Sequence, residues 1–394
     1  MILDIAILAF AAAMGLFMFW PRMRARPGWR AMITPLASII GSGFLVLGPI
    51  LQVRYGWLAP AVMAALCLLA WAFGSAIRHN IACLEHETAP AHGIRGLETL
   101  SSVALGVAYV ISVAYYLNLF GAFAVSLTPW DTSLNAKIVT TVVFVVIAAA
   151  GLSGGFKRLE RMEYASVSLK LAIIAGLLLG LAVYFLSETS KGTLYLLPPD
   201  LGPLEAVRLG FGLIVTVQGF ETARYMGRNY DAPTRIRAMK LAQWLSAGIY
   251  MVYIVLLAYV FPPGEMKLTE TAIIEMMRVV APILPVMLVA AALAAQFSAA
   301  VADTGGAGGL AAELSHNRLR PGFAYVMLVA LGIALTWTVD LFAIISYASR
   351  AFAAYYALQS ALAALRAQGG QRLRYAGLAV LGAAIAIFGI SAEG

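Results

Sequence analysis

Four charged residues, Lys170, Glu221, Asp303 and Arg350, fall inside apolar runs long enough to cross a bilayer. A charge at the centre of a membrane helix costs about 3 kcal/mol on insertion scales, so such residues are candidates for handling a solute, an ion or a proton. Two are positive and two negative, and pairing inside a helix bundle can cancel the net charge. The second chemical feature is backbone. The stretch "SIIGSGFLVLGPIL", Ser38 to Leu51, carries Gly41, Ser42 and Gly43 in succession, and each glycine weakens a helix by about 1 kcal/mol relative to alanine. A helix that unwinds in the membrane frees N–H and C=O groups, tolerated only where protein, water or a solute supplies partners. A half-helix starting near Gly43 aims its amides at an anion, and the carbonyls before it face a cation. A zwitterion such as an amino acid meets both demands. The plainer reading is a close helix-packing site, since small residues let helices approach. A second run, "GFGLIVTVQGFE", holds Gly210, Gly212 and Gly219.

The elements that must position these residues are membrane helices. Of the 394 residues 62% are hydrophobic and only 12% charged, too little charge to cover a water-soluble domain of this size. Apolar stretches of roughly 20 residues recur from end to end, as a hydrocarbon core of about 30 Å requires. The pattern predicts an all-α polytopic protein of twelve spans, at about 2–20, 32–53, 57–77, 98–127, 136–153, 162–186, 204–224, 240–261, 281–312, 323–339, 341–364 and 375–391. The short alternating strands of a transmembrane barrel are not seen. The formal net charge of +8 is spread over alternate connectors, six of which hold 19 of the 27 Lys and Arg residues. By the positive-inside rule those six are cytoplasmic, both termini are outside, and the charge marks topology, not a nucleic-acid surface. The first span lacks a positive flank before it and reads as retained, in an inner membrane. The segment "PPGEMKLTETAIIEMMRVVAP" reads as an external amphipathic helix.

Removing the first and last spans leaves ten. An odd number per half forces the halves into opposite orientations, and the two glycine-rich spans lead them. Interrupted spans at corresponding positions of inverted halves point to a transporter's binding site. The expected organisation is residues 1–30 as an extra helix and basic loop, 31–190 and 203–365 as the two repeats, and 366–394 as a final helix.

Four segments carry a family likeness. "SIIGSGFLVLGP" resembles the first core helix of the amino acid–polyamine–organocation (APC) transporter superfamily. "VTVQGFETARYMGRNYDAPTRIR" resembles its sixth helix and following loop, "KRLERMEYASVSLKLAIIAGLLLG" its fifth, and "AELSHNRLRPG" the loop ending its eighth. The resemblance implies the five-plus-five inverted repeat of the LeuT type. It implies substrate contacts from the Ile39 carbonyl, the amides of Ser42 and Gly43, and the carbonyls of Val215 and Gln218. It also implies a pocket role for Asn118 and inner-gate coupling through Glu221. Lys170 matches a lysine beside the first broken helix whose ammonium substitutes for a sodium ion and can exchange a proton. This chain departs from the family in its extra N-terminal span, in Val215 or Thr216 where an aromatic is frequent, and in Asp303 and Arg350.

The residues themselves leave alternatives open. Lys170 can snorkel to the interface, and Glu221 can bridge to Arg224 or Arg228. Asp303 can pair with Lys170, bind a cation with Thr304, or meet a substrate ammonium. Arg350 can clamp a carboxylate or neutralise Asp303. Tyr109, Tyr115, Tyr116, Tyr347, Tyr355 and Tyr356 read mostly as packing or interface anchors. His79, His86, His92 and His316 read as solvated connector residues, and Cys67 and Cys83 carry no disulfide framework or metal spacing.

Together these features predict a secondary transporter of an amino acid, amine or related small organic solute. It would be proton-coupled or an exchanger, with sodium left open and no cofactor. The alternatives are an inorganic-cation carrier on the same scaffold and a non-transporting sensor or assembly subunit. No nucleophile–base motif or phosphate loop suggests an enzyme.

Overall fold

A computed structural model of the chain describes residues 2–41, 43–86, 92–227, 230–262, 271–315, 318 and 321–390. Among these residues every regular element is helical. The order is α1 (Ile2–Phe19), α2 (Pro21–Arg24), α3 (Pro27–Ile39), α4 (Gly43–Tyr55), α5 (Ala59–His86), α6 (His92–Val125) and α7 (Ser133–Lys191). Then follow α8 (Pro203–Gly212), α9 (Ala232–Leu257), α10 (Ala272–Val280), α11 (Leu284–Leu314), α12 (Pro321–Thr338), α13 (Leu341–Arg366) and α14 (Gly369–Phe388). Between α8 and α9 lie two 3₁₀ turns, Ile214–Val217 and Phe220–Met226.

Burial sorts these rods. In α11, 72% of the apolar window is buried, against 17% in α1 and in α14. The first is therefore the axis of the bundle, and the other two are peripheral helices turned largely to lipid. Helix ends carry side-chain caps where the sequence allows them. Thr132 accepts from the Asn135 amide at the start of α7 (3.2 Å), Asp231 from Thr234 at α9 (3.0 Å), and Asp340 from Ala343 at α13 (2.9 Å). Each satisfies an amide that the first helical turn leaves without a partner.

Helix length and apolarity count nine membrane-spanning stretches among the described residues, not twelve. The expected spans at 32–53 and 204–224 fall short because they are interrupted, while the expected span at 323–339 is the apolar helix α12, Pro321–Thr338. A second difference concerns α7. The expected connector between the spans at 136–153 and 162–186 is helical backbone, so one 59-residue run carries both apolar windows. Thr140 of this run bonds the Leu117 carbonyl of α6 (2.8 Å), and Lys170 bonds the Ala37 carbonyl of α3 (2.8 Å). Ser112 of α6 and Ser38 of α3 both bond Asp303.

The amphipathic segment forms α10. It buries Ile273, Ile274, Met276, Met277 and Val280 and turns out Glu275 and Arg278, which pair at 3.0 Å; residues 263–270 lie outside the described residues. His79 is not a solvated connector residue. It lies on α5 with its ring 5.3 Å from that of Tyr375, because α5 continues past the expected end of its span. His316 and the side chains of His86 and His92 lie outside the described residues.

Candidate functional site

The first interruption follows α3. Ile40 leaves the helical region (φ −82°, ψ 61°), and α4 begins at Gly43; Ser42 lies outside the described residues. The last carbonyls of a helix have no partner within it and carry the negative end of its dipole. Here a cation and a phenol take them. The Lys170 ammonium donates to the carbonyls of Ala37 (2.8 Å) and Ile40 (2.5 Å) and to the Ser298 hydroxyl (2.9 Å). The Tyr250 hydroxyl lies 2.6 Å from the Ile39 carbonyl and 3.1 Å from that of Thr216, so it joins the two interruptions. Lys170 is fully buried and does not snorkel.

The second interruption runs from Leu213 to Gly219. Ser349 of α13 donates to the Gly212 carbonyl (2.5 Å) and accepts from the Val215 amide (3.4 Å), and Thr216 bonds the Leu213 carbonyl (2.6 Å). Gly219 adopts φ 115°, a left-handed conformation that favours glycine. A Cβ there would lie 2.5 Å from the Ile39 nitrogen and 2.6 Å from the Ser38 carbonyl carbon. The two broken backbones therefore cross at Gly219. At Gly41 a Cβ would press on the Tyr116 ring (3.1 Å) and Ala299 (3.2 Å).

Two buried carboxyl groups flank this crossing. Asp303, from α11, accepts from the hydroxyls of Ser38 (2.8 Å) and Ser112 (2.6 Å). Glu221 accepts from the Gly219 amide (3.0 Å) and the Tyr356 hydroxyl (2.9 Å), and the Tyr356 ring is stacked between Phe220 and Phe73 with centroids 5.1 and 5.3 Å apart. The Gln218 side-chain amide donates to the Tyr116 hydroxyl. Its own oxygen and the second oxygen of Glu221 are buried without a hydrogen-bond partner among the described residues. An apolar cavity of about 180 Å³ reaches both interruptions from between α5 and α9, touching Ile39, Val217 and Tyr250.

The expected site residues thus separate into two groups. Ile39, Gly41, Val215, Gln218, Gly219, Lys170, Glu221 and Asp303 come together around the crossing, and Gly43 begins α4 after the first break. The Ile39 carbonyl, expected to face a solute amine, is held by Tyr250. Thr304 turns its hydroxyl back to the Ala300 carbonyl (2.7 Å) and makes no contact with Asp303. Asn118 lies on another face of α6, bonded to Thr336 (2.8 Å), beside a separate cavity with Asp131 and Lys137. Arg350 is on the exposed face of α13 and donates to the Gly389 carbonyl at the end of α14 (2.9 Å). It neutralises a helix terminus, not Asp303. Arg224 does not bridge to Glu221; it lies 3.8 Å from Glu98, which also binds Arg366 at 2.9 Å. Arg228 is outside the described residues.

Sequence reasoning passed over Ser38, Ser112, Ser298 and Ser349, and read Tyr116 and Tyr356 as packing. A membrane serine ordinarily bonds its own helix, so residue type alone does not distinguish these serines from others. The site tyrosines have the same helical spacing as the packing ones.

Comparison with known proteins agrees with this architecture. A family model described as an APC superfamily transporter matches residues 21–389. A protein of Aquifex aeolicus (strain VF5), described as uncharacterized, is 40% identical over 357 residues, covering 88% of this chain and 86% of its own. Two solved structures share the fold at low identity. A sodium-coupled sialic acid symporter in its substrate-bound outward-open state has a TM-score of 0.56 at 13% identity, covering 99% of this chain and 98% of its own. Mhp1, a nucleobase-cation-symport-1 family transporter in a closed conformation with bromovinylhydantoin bound, has a TM-score of 0.53 at 14%, covering 88% and 80%. A helical bundle with paired interruptions, matched across nearly its whole length by one family, places this chain in the APC superfamily of multi-pass membrane transporters.

Proposed function

We propose that the chain moves a small organic solute bearing an amine, an amino acid or a simple amine, by alternating access about the two interrupted helices. Residues 31–190 and 203–365 act as the inverted halves, with both termini on the outer side of the inner membrane. The proton is the coupling ion, carried by Lys170, Asp303 and Glu221, in symport or in exchange.

One observation carries this reading. The interior holds two carboxyl groups and one ammonium at a crossing of broken helices, and each is held by neutral groups: serine and tyrosine hydroxyls, carbonyls and one backbone amide. Charges held this way can gain or lose a proton without orphaning an ionic partner. The unpartnered oxygens of Gln218 and Glu221 ask for N–H donors, which a protonated amine supplies. Lys170 also fills the carbonyl cluster that could otherwise hold a metal cation, which favours the proton over sodium.

A thermal-shift screen of amino acids, amines and nucleobases at two pH values tests the assignment, since a bound solute raises the melting temperature by mass action. An amine-bearing solute that stabilises the protein and is taken up in a pH-dependent, sodium-independent way is expected. Stabilisation by uncharged nucleobases alone, or strict sodium dependence, overturns it.

A further inference from the structure

Gln296 of α11 is completely buried, and neither its Nε2 nor its Oε1 has a hydrogen-bond partner among the described residues. Exchanging the two amide atoms would not change this, so the deficit is independent of how the amide is turned. Other buried glutamines are satisfied at both ends. Gln359 donates to Ser101 (2.7 Å) and accepts from Asn80 (2.9 Å). Gln243 donates to the Ala70 carbonyl (2.8 Å) and accepts from Arg78 (2.5 Å). A buried amide with nothing to bond destabilises a fold, and it calls for a partner from outside the chain.

The register of α11 ties this side chain to the crossing. Positions 296, 299 and 303 share one face of the helix, at the i, i+3, i+7 spacing. From that face Asp303 bonds Ser38 of α3 and Ser112 of α6. The Ala299 Cβ lies 3.2 Å from where a Cβ on Gly41 would stand, and the Tyr116 ring lies 3.1 Å from the same point. Tyr116 in turn accepts from Gln218, whose oxygen is open. Gln296 is one turn before Ala299, about 4.5 Å along the axis and on the side away from Asp303.

We propose, building on the amine reading of the same site, that Gln296 contacts the solute and that the solute carries a carboxamide beside its amine. The amide supplies two donors and one acceptor side by side. A second ammonium on the solute would satisfy only its oxygen, and a carboxylate only its N–H groups. An apolar group satisfies neither. A carboxamide places an N–H beside a C=O and pairs with both amide atoms at once. The amine meets the open oxygens of Gln218 and Glu221, and the carboxamide lies along α11 towards Gln296. A site of this kind rejects an apolar isostere, because binding it leaves the buried amide unpaired.

The test uses the full chain, with ligand-dependent thermal melting and uptake in proteoliposomes. The probes are L-asparagine, L-aspartate and L-leucine, which are similar in size and differ in what they offer Gln296. Wild type is expected to bind asparagine about tenfold or more tightly than leucine or aspartate. Gln296→Met keeps the length of the side chain and removes both amide atoms. It is expected to melt no lower than wild type without ligand, and to lose most of the preference for asparagine over leucine. A merely structural glutamine would leave that preference unmoved. Equal binding of asparagine and leucine by wild type overturns the carboxamide assignment without recourse to any variant. A preference that survives in Gln296→Met overturns the contact, the amide then being satisfied by a fixed internal water. Stabilisation by other amines but not by asparagine overturns this inference alone, whereas no stabilisation by any amine overturns the amine reading with it.

Discussion

The two interruptions are closed in opposite ways. At the first, the exposed groups are carbonyls at the end of α3, and a lysine ammonium from α7 covers them. At the second, an exposed amide at Gly219 is covered by the carboxyl group of Glu221, two residues on in the same segment. Serine and threonine hydroxyls close the carbonyls before it. The first break is thus held from another element by a cation, and the second largely by its own turn with an anion. A protonation change at Lys170 alters how two parts of the bundle are joined, whereas one at Glu221 alters the local turn and the Tyr356 contact. The two breaks are thus closed by groups of opposite charge type, with Asp303 tying α3 to α6.

The sharpest way to break this comparison is at the crossing itself. Gly219→Ala puts a Cβ against the Ser38–Ile39 backbone at a left-handed position. It is expected to abolish uptake and to destabilise by about 3 kcal/mol or more, read by uptake in proteoliposomes and thermal melting. Normal transport in that variant would refute a close crossing. Lys170→Ala removes the cation from the first break only. Uptake should lose its pH dependence while solute binding survives, with a stability loss of about 1–3 kcal/mol from the uncovered carbonyls; an unchanged pH profile would remove the lysine from coupling. Ser349→Ala uncovers the Gly212 carbonyl at the second break and should cost about 1 kcal/mol, leaving the pH profile of uptake intact. A shifted profile there would mean the second break is not merely held but titrated through its hydroxyl.

The smallest effect lies just beyond the second break. Hydrogen bonds from the Thr234 side chain and then from its backbone amide hold the Asp231 carboxyl below its ordinary pKa. Its capping contribution is present above the unfolded-state pKa and is lost as pH falls through the lowered folded-state value. Asp231→Ala should therefore slightly lower the melting temperature at neutral pH, lose that difference in strong acid, and leave uptake unchanged.

Legibility in the sequence followed chemistry more closely than direction. The glycine runs around Gly41 and Gly219 marked both interruptions, because glycine's helix cost and lack of a Cβ act on the backbone wherever the helix sits. Lys170, Glu221 and Asp303 stood out because charge in hydrocarbon is expensive for any partner. Arg350 carried the same signal, yet lies on an outer face. Asn118 is on the wrong side of α6 for the crossing, while Ser112 and Tyr116 of the same helix reach it. In water an apolar stripe tells which face of a helix is inside. In a membrane lipid and protein interior are both apolar, so the stripe fades and rotation about the helix axis is not written in the pattern.

By itself the sequence determined that this is a bundle of membrane helices, broken at two corresponding places, with titratable groups within its spans. Composition, glycine cost and the expense of buried charge suffice for that, since each depends on residue type and position along the chain. Which hydroxyls cap which carbonyls, that Tyr250 joins both breaks, and that Arg350 faces outward were decided only by tertiary structure. Those outcomes depend on how each rod is turned and which neighbour it meets, and contacts between residues more than a hundred positions apart have no local signature.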